Sequence, residues 1–372
     1  MFAKPFKLIL IYLLTIINIT FVLTPLLAAI APFIDYSKNG VSIDYNIFQK
    51  LKIALATAIF SISFFMLLYM FLDYIFGFSL RSSLKNCKRY DKLKGYEFLK
   101  EIFFQTQERF NTNGVKLYIK NSNEVNAYAV SSMASGAVVL TKGLIDHFLV
   151  LSKDSKEFLF SLRSIMGHEM SHLVNRDFLP TFFVICNQKA TNFVSRVLHY
   201  ILFFQINFFN RLPYIGSYYS SFIYYTYSFI NFILTIFNKY IVLTIYNFLN
   251  KFASRSIEYR CDYQSAQAFG GENMVNALEK LGENGYFTIF STHPKTHSRI
   301  KNVKLVKVIN SNITAKFFDK VTNYLTTMIL ITICLYFAKE ARIDQHVRQI
   351  IRNHEYIHSK LSYLWQLIKQ IY

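Results

Sequence analysis

Long apolar stretches alternate with polar segments along this chain. Residues 8–34 and 53–72 hold no charged side chain. About 20 helical residues suffice to cross a hydrocarbon core of roughly 30 Å, so each stretch predicts a transmembrane helix. The first stretch also fits a signal peptide, because Ala29-Ile30-Ala31 has the form of a cleavage site. Its apolar run is longer than a signal core, which favours a retained anchor.

A third apolar block covers residues 178–250 and is interrupted only by single basic residues. Its length predicts two crossings, at 179–208 and 217–249, and the basic residues in the first of them leave a partly embedded hairpin as the alternative. A final uncharged run, 321–338, is borderline in length for a span.

The distribution of basic residues predicts the orientation of these spans. Seven Lys and Arg side chains lie within residues 81–100, directly after the second span. The loop between the first two spans carries three lysines, offset by two aspartates. Because basic loops stay in the cytoplasm, the N-terminus and the segment after residue 80 are predicted to be cytoplasmic.

The two water-facing pieces, residues 81–177 and 251–320, show the patterns of a small α+β domain. From Lys156 to Arg176 apolar residues recur at helical spacing, which predicts a helix. Alternating or short apolar runs predict a strand, a strand that returns from it, and a third strand, at 115–120, 125–130 and 137–141.

The predicted fold class is therefore a mainly α membrane protein, with multi-pass transmembrane helices and a water-facing α+β domain that contains a small sheet. Five segments are expected along the chain. They are two transmembrane helices (1–80), a first half of the water-facing domain (81–177), a transmembrane hairpin (178–250), a second half (251–320), and an apolar segment with an amphipathic tail helix (321–372).

Composition supports this class and excludes others. Hydrophobic residues make up 53% of the 372 positions and charged residues 17%, against about a quarter charged in soluble proteins. A disordered chain, a collagen-like fibre and a disulfide-stapled module are excluded, and the four cysteines form no C-x-x-C pair. The net charge of +19 gathers beside apolar runs, where it acts as a topology signal, so no nucleic-acid partner is expected.

The predicted helix 156–176 contains an H-E-x-x-H motif formed by His168, Glu169 and His172. Histidines four residues apart share one face of a helix, so their imidazoles can converge on one zinc ion. Glu169 stands where it can take a proton from a zinc-activated water. Two surface histidines on an ordinary helix would give the same motif, so its context decides.

A second H-E-x-x-H, at residues 354–358, competes with the first. Zinc hydrolases need a third protein ligand, and only the first motif is followed by suitable residues. Glu258 can complete the site, and Asp262, on the same predicted helix ending at Gly270-Gly271, can orient a ligand by a hydrogen bond. The second motif lies instead in an amphipathic tail helix suited to membrane contact or self-association.

The choice of the first motif constrains the topology. If His172 and Glu258 bind one metal, the apolar block between them crosses the membrane an even number of times. The two crossings that hydropathy predicts within residues 178–250 meet this requirement.

Ordered motifs on both sides of the apolar block accompany these residues. They are Asn126-Ala127-Tyr128-Ala129, the strand 137–141 with Lys142-Gly143-Leu144, Asn175 and Asp177 after the H-E-x-x-H, S-R-x-x-E-x-x-x-D over 254–262, and His293-Pro294 with Arg299-Ile300. Together they resemble the membrane zinc metallopeptidases of the HtpX and CAAX-prenyl-endopeptidase type, over residues 1–305. The chain departs from that pattern at Arg176, Cys261 and Lys295, where Gly, Ala and Pro are usual.

The resemblance implies a zincin-like α+β catalytic domain that holds one Zn²⁺ per chain. It assigns His168, His172 and Glu258 as zinc ligands and Glu169 as the general base. His293 is expected either to donate to the oxyanion that forms during peptide hydrolysis or to stabilise the turn that follows it.

Two further sets of residues follow from the resemblance. Residues 126–129 (Asn126, Ala127, Tyr128 and Ala129) are expected either to pair with an extended substrate or to belong to the sheet core. Arg255 and Arg299 are expected to pair with Asp177 or Asp262 and so to support the zinc ligands.

By the same resemblance, the chain is a zinc endopeptidase that cleaves membrane or misfolded proteins at the cytoplasmic face of a bacterial inner membrane. The expected partners are protein or peptide substrates and the lipid bilayer. Cleavage of prenylated C-termini is the alternative within this class. A catalytically silent membrane scaffold that binds metal is the alternative from another class, and the intact Glu169 disfavours it because a structural zinc site needs no base.

Overall fold

The computed structural model describes residues 34–37, 40–43, 45–214, 216–237, 243–282, 294–345, 347–349 and 351–352, with the single residues 9, 240 and 360. Within these residues the chain is mainly helical and carries a small mixed sheet, which confirms that part of the predicted fold class. His293 and the second H-E-x-x-H, at residues 354–358, lie outside the described residues.

The chain divides into two compact units. The first contains residues 66–188 and 234–327, and the second contains 189–233 with the described parts of 18–65 and 328–372. The five segments predicted from hydropathy stay a prediction.

Eleven helices and six strands are described. The helices are α1 Tyr45–Phe76, α2 Phe78–Ser83, α3 Leu99–Arg109, α4 Lys142–Leu151, α5 Ser155–Asn175, α6 Phe178–Asn210, α7 Gly216–Phe237, α8 Leu243–Phe269, α9 Gly271–Leu281, α10 Thr296–Val303 and α11 Phe317–Glu340. The strands are β1 Ile34–Ser37, β2 Gly40–Ile43, β3 Cys87–Arg89, β4 Lys116–Lys120, β5 Ala127–Ser131 and β6 Gly136–Thr141.

The first unit contains a four-stranded sheet of order β3-β4-β6-β5. β6 pairs in parallel with β4 and antiparallel with β5. Strand β5 does return antiparallel to β4, as predicted, but β6 lies between the two. The reason is that β6 is buried along most of its length, and a continuously apolar strand belongs in the middle of a sheet. β5 is left at the edge, and no described strand pairs with its outer side.

Helix α5 carries the first H-E-x-x-H motif and extends over Ser155–Asn175, within one residue of its predicted bounds. At its start the Asp154 carboxylate accepts a hydrogen bond from Glu157 N (2.7 Å), and Glu157 Oε2 accepts one from Lys153 N (2.7 Å). This exchange of hydrogen bonds satisfies N–H groups that a helix start leaves unpaired. Arg176 then stops the helix in the left-handed conformation (φ 55°).

The closest packing in this unit is between α5 and α8. A Cβ atom at Gly167 would lie 2.8 Å from both the Phe269 ring and Ser265 Oγ. Ser265 Oγ also donates a hydrogen bond to Ser164 O (2.6 Å). The missing side chain of Gly167 therefore lets α8 approach the backbone of α5 one residue before His168.

Two described helices are long and apolar enough to cross a membrane. They are Phe48–Phe76 within α1, which contains the predicted span 53–72, and Phe317–Glu340, which contains the borderline run 321–338. The predicted crossings at 179–208 and 217–249 are not among them. α6 contains the basic Lys189 and Arg196, and α7 ends at Phe237, where the described residues break off. Apart from residue 9, the first predicted span lies outside the described residues.

Replacing Gly167 by Ala should lower the free energy of unfolding by roughly 1–3 kcal/mol, because the new methyl group overpacks the contact between α5 and α8. Helix propensity alone would favour Ala by about 1 kcal/mol, so a net loss isolates the packing effect. Thermal unfolding followed by circular dichroism measures the change. Gly114→Ala is the matched control, because no atom lies within 4 Å of a Cβ atom there. Equal stability of the two variants would contradict the packing interpretation.

Candidate metal centre

Three side chains from α5 and α8 converge at one point. The Nε2 atoms of His168 and His172 are 3.2 Å apart. Oxygen atoms of Glu258 lie 3.6 Å from each of these nitrogens. His168 and Glu258 are buried, and His172 is partly exposed.

These separations fit a single zinc ion. Zinc binds imidazole nitrogen and carboxylate oxygen at about 2.0–2.2 Å with tetrahedral angles, which places any two ligand atoms roughly 3.3 Å apart. The 3.2 Å between the two Nε2 atoms matches this requirement, and the Glu258 carboxylate offers one oxygen 3.6 Å from each nitrogen, Oε2 toward His168 and Oε1 toward His172. Two nitrogens and one oxygen are also the donor set of catalytic rather than structural zinc sites, which keep the fourth position for water or substrate.

The outer nitrogen of His168 is held by Asp262. Their Nδ1 and Oδ1 atoms are 2.8 Å apart, and both residues are buried. Since a carboxylate only accepts, Nδ1 carries the proton and Nε2 keeps its lone pair for a metal. Arg299 in turn binds Asp262 through two hydrogen bonds, of 2.7 and 2.6 Å, and fixes the carboxylate.

His172 is oriented in the same way by Asp177. Nδ1 of His172 lies 2.9 Å from Asp177 Oδ2. The chain reaches this position because the left-handed Arg176 turns it back, and Asp177 N donates to His172 O (3.0 Å). Arg260 binds the same oxygen of Asp177, and Cys261 Sγ lies 3.4 Å from His172 Nδ1. Each histidine thus has a carboxylate behind it, an arrangement that fixes the ring and raises its basicity.

The carboxylates control the charge of both histidines. Burial disfavours the charged imidazolium, but Asp262 and Glu258 outweigh burial and raise the pKa of His168 to about 10. Burial likewise opposes charge on His172, yet the Cys261 sulfur and Asp177 hold its pKa well above the usual value. In the metal-free site these carboxylates therefore favour a protonated imidazole, and a metal ion must displace that proton to bind.

Glu169 differs from the other acids of the site. Its side chain is buried, and no described residue donates a hydrogen bond to it or forms an ion pair with it. Its charge acts on Arg299. Burial lowers the pKa of Arg299, but Asp262, Glu258 and, to a smaller extent, Glu169 raise it above the usual value. A buried carboxylate without a fixed partner is available as a proton acceptor.

The structure brings together most of the residues that the sequence predicted for the site. His168, His172, Glu258, Asp262, Asp177 and Arg299 form one connected cluster. Arg255 lies half-buried on α8, one turn before Glu258, and its predicted pairing stays a prediction. Residues 127–129 lie in the edge strand β5, and Asn126 directly precedes it.

The sequence reasoning missed Arg260. Arg260 binds Asp177 in the structure. It lies on the same predicted helix as Glu258, and helical spacing alone does not indicate that it faces a carboxylate far away in the sequence.

Comparison with known proteins agrees with this geometry. The model of peptidase family M48 matches residues 97–307, more than half of the chain. The chain belongs to peptidase family M48. The matched region contains the first H-E-x-x-H and excludes the second at residues 354–358. The predicted resemblance to HtpX-type metallopeptidases is thereby confirmed.

A curated relative belongs to the same branch. This M48 member is 29% identical over 173 residues to a protein named Protease HtpX homolog from Halobacterium salinarum. The alignment covers 45% of this chain and 47% of the relative, so the chain spans about half the length of the curated relative it matches.

Zinc binding to this M48 member should release a proton. Burial opposes charge on both histidines, but the surrounding carboxylates raise the pKa of His168 to about 10, and the Cys261 sulfur and Asp177 hold that of His172 well above its usual value. Because the two Nε2 atoms lie 3.2 Å apart, one of them accepts a hydrogen bond from the other, so one proton must leave the pair when metal binds. The apparent affinity should therefore rise about tenfold per pH unit while this proton is displaced. Calorimetry in buffers of different ionisation enthalpy measures the number released. A number near zero would contradict the charge assignment.

Replacing Arg176 by Gly should stabilise the fold by roughly 0.5–1 kcal/mol, because glycine adopts the left-handed conformation without the steric cost of a side chain. Arg176 is exposed, so its side chain gives up little packing. Arg176→Ala keeps the steric cost and serves as the control in thermal unfolding. Equal stability of the Gly and Ala variants would show that this turn is not strained.

Proposed function

We propose that this chain is a zinc-dependent endopeptidase. The observation that carries the proposal is the convergence of His168, His172 and Glu258 at distances suited to one zinc ion, beside the buried carboxylate of Glu169, which has no hydrogen-bond partner among the described residues. A site that only stores or transports metal has no use for that carboxylate. A peptidase needs it as a base.

The residues of the chain have separate tasks in this reaction. Zinc, when bound, supplies a Lewis acid that activates water for attack on a peptide carbonyl. Glu169 accepts the proton of the attacking water and delivers it to the leaving amine. Asp262 and Asp177 hold the two histidines in the tautomer that binds metal. His293 is proposed to stabilise the oxyanion, as the family resemblance implies.

The edge strand β5 is proposed to hold the substrate. β5 packs against α5, the helix of the H-E-x-x-H motif, and no described strand covers its outer side. An extended peptide can add to such an edge through backbone hydrogen bonds, which do not depend on its side chains. This mode suits an endopeptidase that accepts many sequences.

We also propose that the enzyme is an integral membrane protein with its active site at the cytoplasmic face. Only 33% of the apolar window in α1 and 22% of that in α11 are buried, so neither helix has the surroundings of a soluble core. Large apolar side chains such as Phe71 and Leu335 are exposed. The basic cluster at residues 81–100 supports the cytoplasmic side.

Unfolded or membrane-inserted proteins are the substrate class that we propose, in keeping with the HtpX branch. The motif matches and the HtpX homolog from Halobacterium salinarum support this assignment. A prenylated peptide is the test substrate for the alternative within the family.

Glu169→Gln should keep zinc binding and lower the rate of peptide cleavage by at least roughly 100-fold, because the amide cannot accept a proton. The assay uses the detergent-purified chain with zinc, an unfolded protein such as casein, and a prenylated peptide as a second substrate. Glu355→Gln, in the second H-E-x-x-H motif, is the matched control and should cleave like wild type.

Each outcome of this assay has a definite meaning. Loss of cleavage in Glu169→Gln alone, with one zinc still bound, supports the proposal. Loss in Glu355→Gln alone would move the site to the tail. Zinc binding without cleavage of either substrate by wild type would favour the silent scaffold, and cleavage of the prenylated peptide alone would favour the prenyl-dependent alternative.

A further inference from the structure

The metal centre is completed by residues that lie beyond the region matched by the family. That region ends at residue 307, yet the chain continues along the same unit as a segment, residues 308–319, that we call the strap. The strap contacts three of the helices around the site. Its backbone hydrogen bonds are Ile309 N to Gln267 O (3.0 Å) and Ile313 N to Arg109 O (2.8 Å), and it receives one from Gln264 Nε2 at Thr314 O (3.2 Å).

The strap also closes a buried polar cluster next to His172. Ser171, Asn175 and Gln264 are almost fully buried and bind one another, with Ser171 Oγ and Asn175 Nδ2 both donating to Gln264 Oε1 at 2.6 and 2.7 Å. Thr314 O accepts from the amide of Gln264, and Lys316 N donates to Asn175 Oδ1 (3.3 Å). The backbone of the strap therefore forms hydrogen bonds with buried polar side chains of both α5 and α8, where buried polar groups need partners.

At the end of the strap a chain of charges leads to the metal centre. Asp319 Oδ2 accepts a hydrogen bond from Arg260 Nη1 (2.6 Å), and the other arm of Arg260 binds Asp177. Asp177 in turn holds Nδ1 of His172. The side chains of Asp319, Arg260 and Asp177 are each at most 10% exposed, so these interactions are little screened by water.

We propose that the strap is a positioning element of the metal centre, and that Asp319 is a positioning residue which fixes the metal-binding orientation of His172 through Arg260 and Asp177. The inference rests on the proposed zinc site. It adds to the family's metal-binding motifs a residue from the first turn of α11, outside the matched region.

The physical reason lies in how Arg260 is shared. Its guanidinium is held between two carboxylates, and a planar fork can bind both at once. Without the charge of Asp319, the buried guanidinium would be balanced by Asp177 alone and would draw that carboxylate away from the N–H of His172. The imidazole would then be a less basic and less firmly oriented metal ligand.

A different role for the same residues is purely structural. The pair of Asp319 and Arg260 would then only anchor the start of α11, and its loss would lower stability without any specific effect on the metal. Measuring zinc retention and thermal stability together separates the two roles. Only a role in positioning His172 predicts a loss of zinc retention greater than the loss of stability explains.

The test measures how fast zinc leaves the full chain of 372 residues when it is transferred to a chromogenic chelator. Asp319→Asn keeps the size of the side chain and removes its charge. This variant should release zinc about tenfold faster than wild type, which is the lower end of the effect seen when a hydrogen-bond partner of a metal ligand is removed. Asp319→Glu restores the charge and should return the rate to within about threefold of wild type. Arg260→Lys keeps the charge of Arg260 but cannot bridge two carboxylates, so it should resemble Asp319→Asn.

Glu157→Gln is the matched control. It breaks the ion pair of Glu157 with Lys280 (3.2 Å). Glu157 lies at the opposite end of α5 from His172. Thermal unfolding of every variant is measured beside zinc release. Glu157→Gln should lose stability and keep the wild-type release rate.

Faster release in Asp319→Asn and Arg260→Lys, with rescue by Glu and no change in the control, supports the proposal. Release at the wild-type rate in Asp319→Asn, or equal acceleration in Glu157→Gln, would overturn it and leave the zinc site intact. If Asp319→Asn fails to fold, Arg260→Lys decides by the same criterion. Failure of the proposed function itself is recognised separately. In that case wild type would bind no zinc, or His168→Ala would bind as much zinc as wild type.

Discussion

The arrangement of this protein depends on the close contact between α5 and α8. These helices carry the two parts of the metal centre, and they come from segments separated by a long apolar block. Gly167 permits the approach, since any side chain there would meet Phe269 and Ser265. The donor atoms of His172 and Glu258 can lie 3.6 Å apart only because the helix backbones are this close at the neighbouring turn.

Such a contact concentrates charge in a buried place, and the surrounding structure is organised to neutralise it. Asp262 and Asp177 face the two histidines, while Arg299 and Arg260 neutralise the carboxylates from behind. A buried charge without a partner costs several kcal/mol, so these layers are a condition of folding as well as of metal binding. Glu169 alone is left without a fixed partner among the described residues, which is what a base requires.

The strap extends the structure around the site past residue 307, where the match to the family ends. Its backbone satisfies polar groups on α5 and α8, and its last residue neutralises Arg260. The last residues of the strap form the first turn of α11, one of the two described helices that are apolar enough to cross a membrane. In the proposed membrane enzyme, the start of that helix and the orientation of a metal ligand would therefore depend on the same ion pair.

The sequence by itself determined the elements and the chemistry that depend on local spacing. Helical periodicity placed α5 within one residue, and the four-residue spacing of His168 and His172 indicated a shared metal. Glu258 and Asp262 followed from the same kind of spacing. Tertiary structure alone decided that β6 separates β4 from β5, that Arg260 faces Asp177, and that Asp319 binds Arg260. The physical reason is that periodicity reports which face of an element is apolar, whereas the partner of a buried charge depends on how distant segments pack.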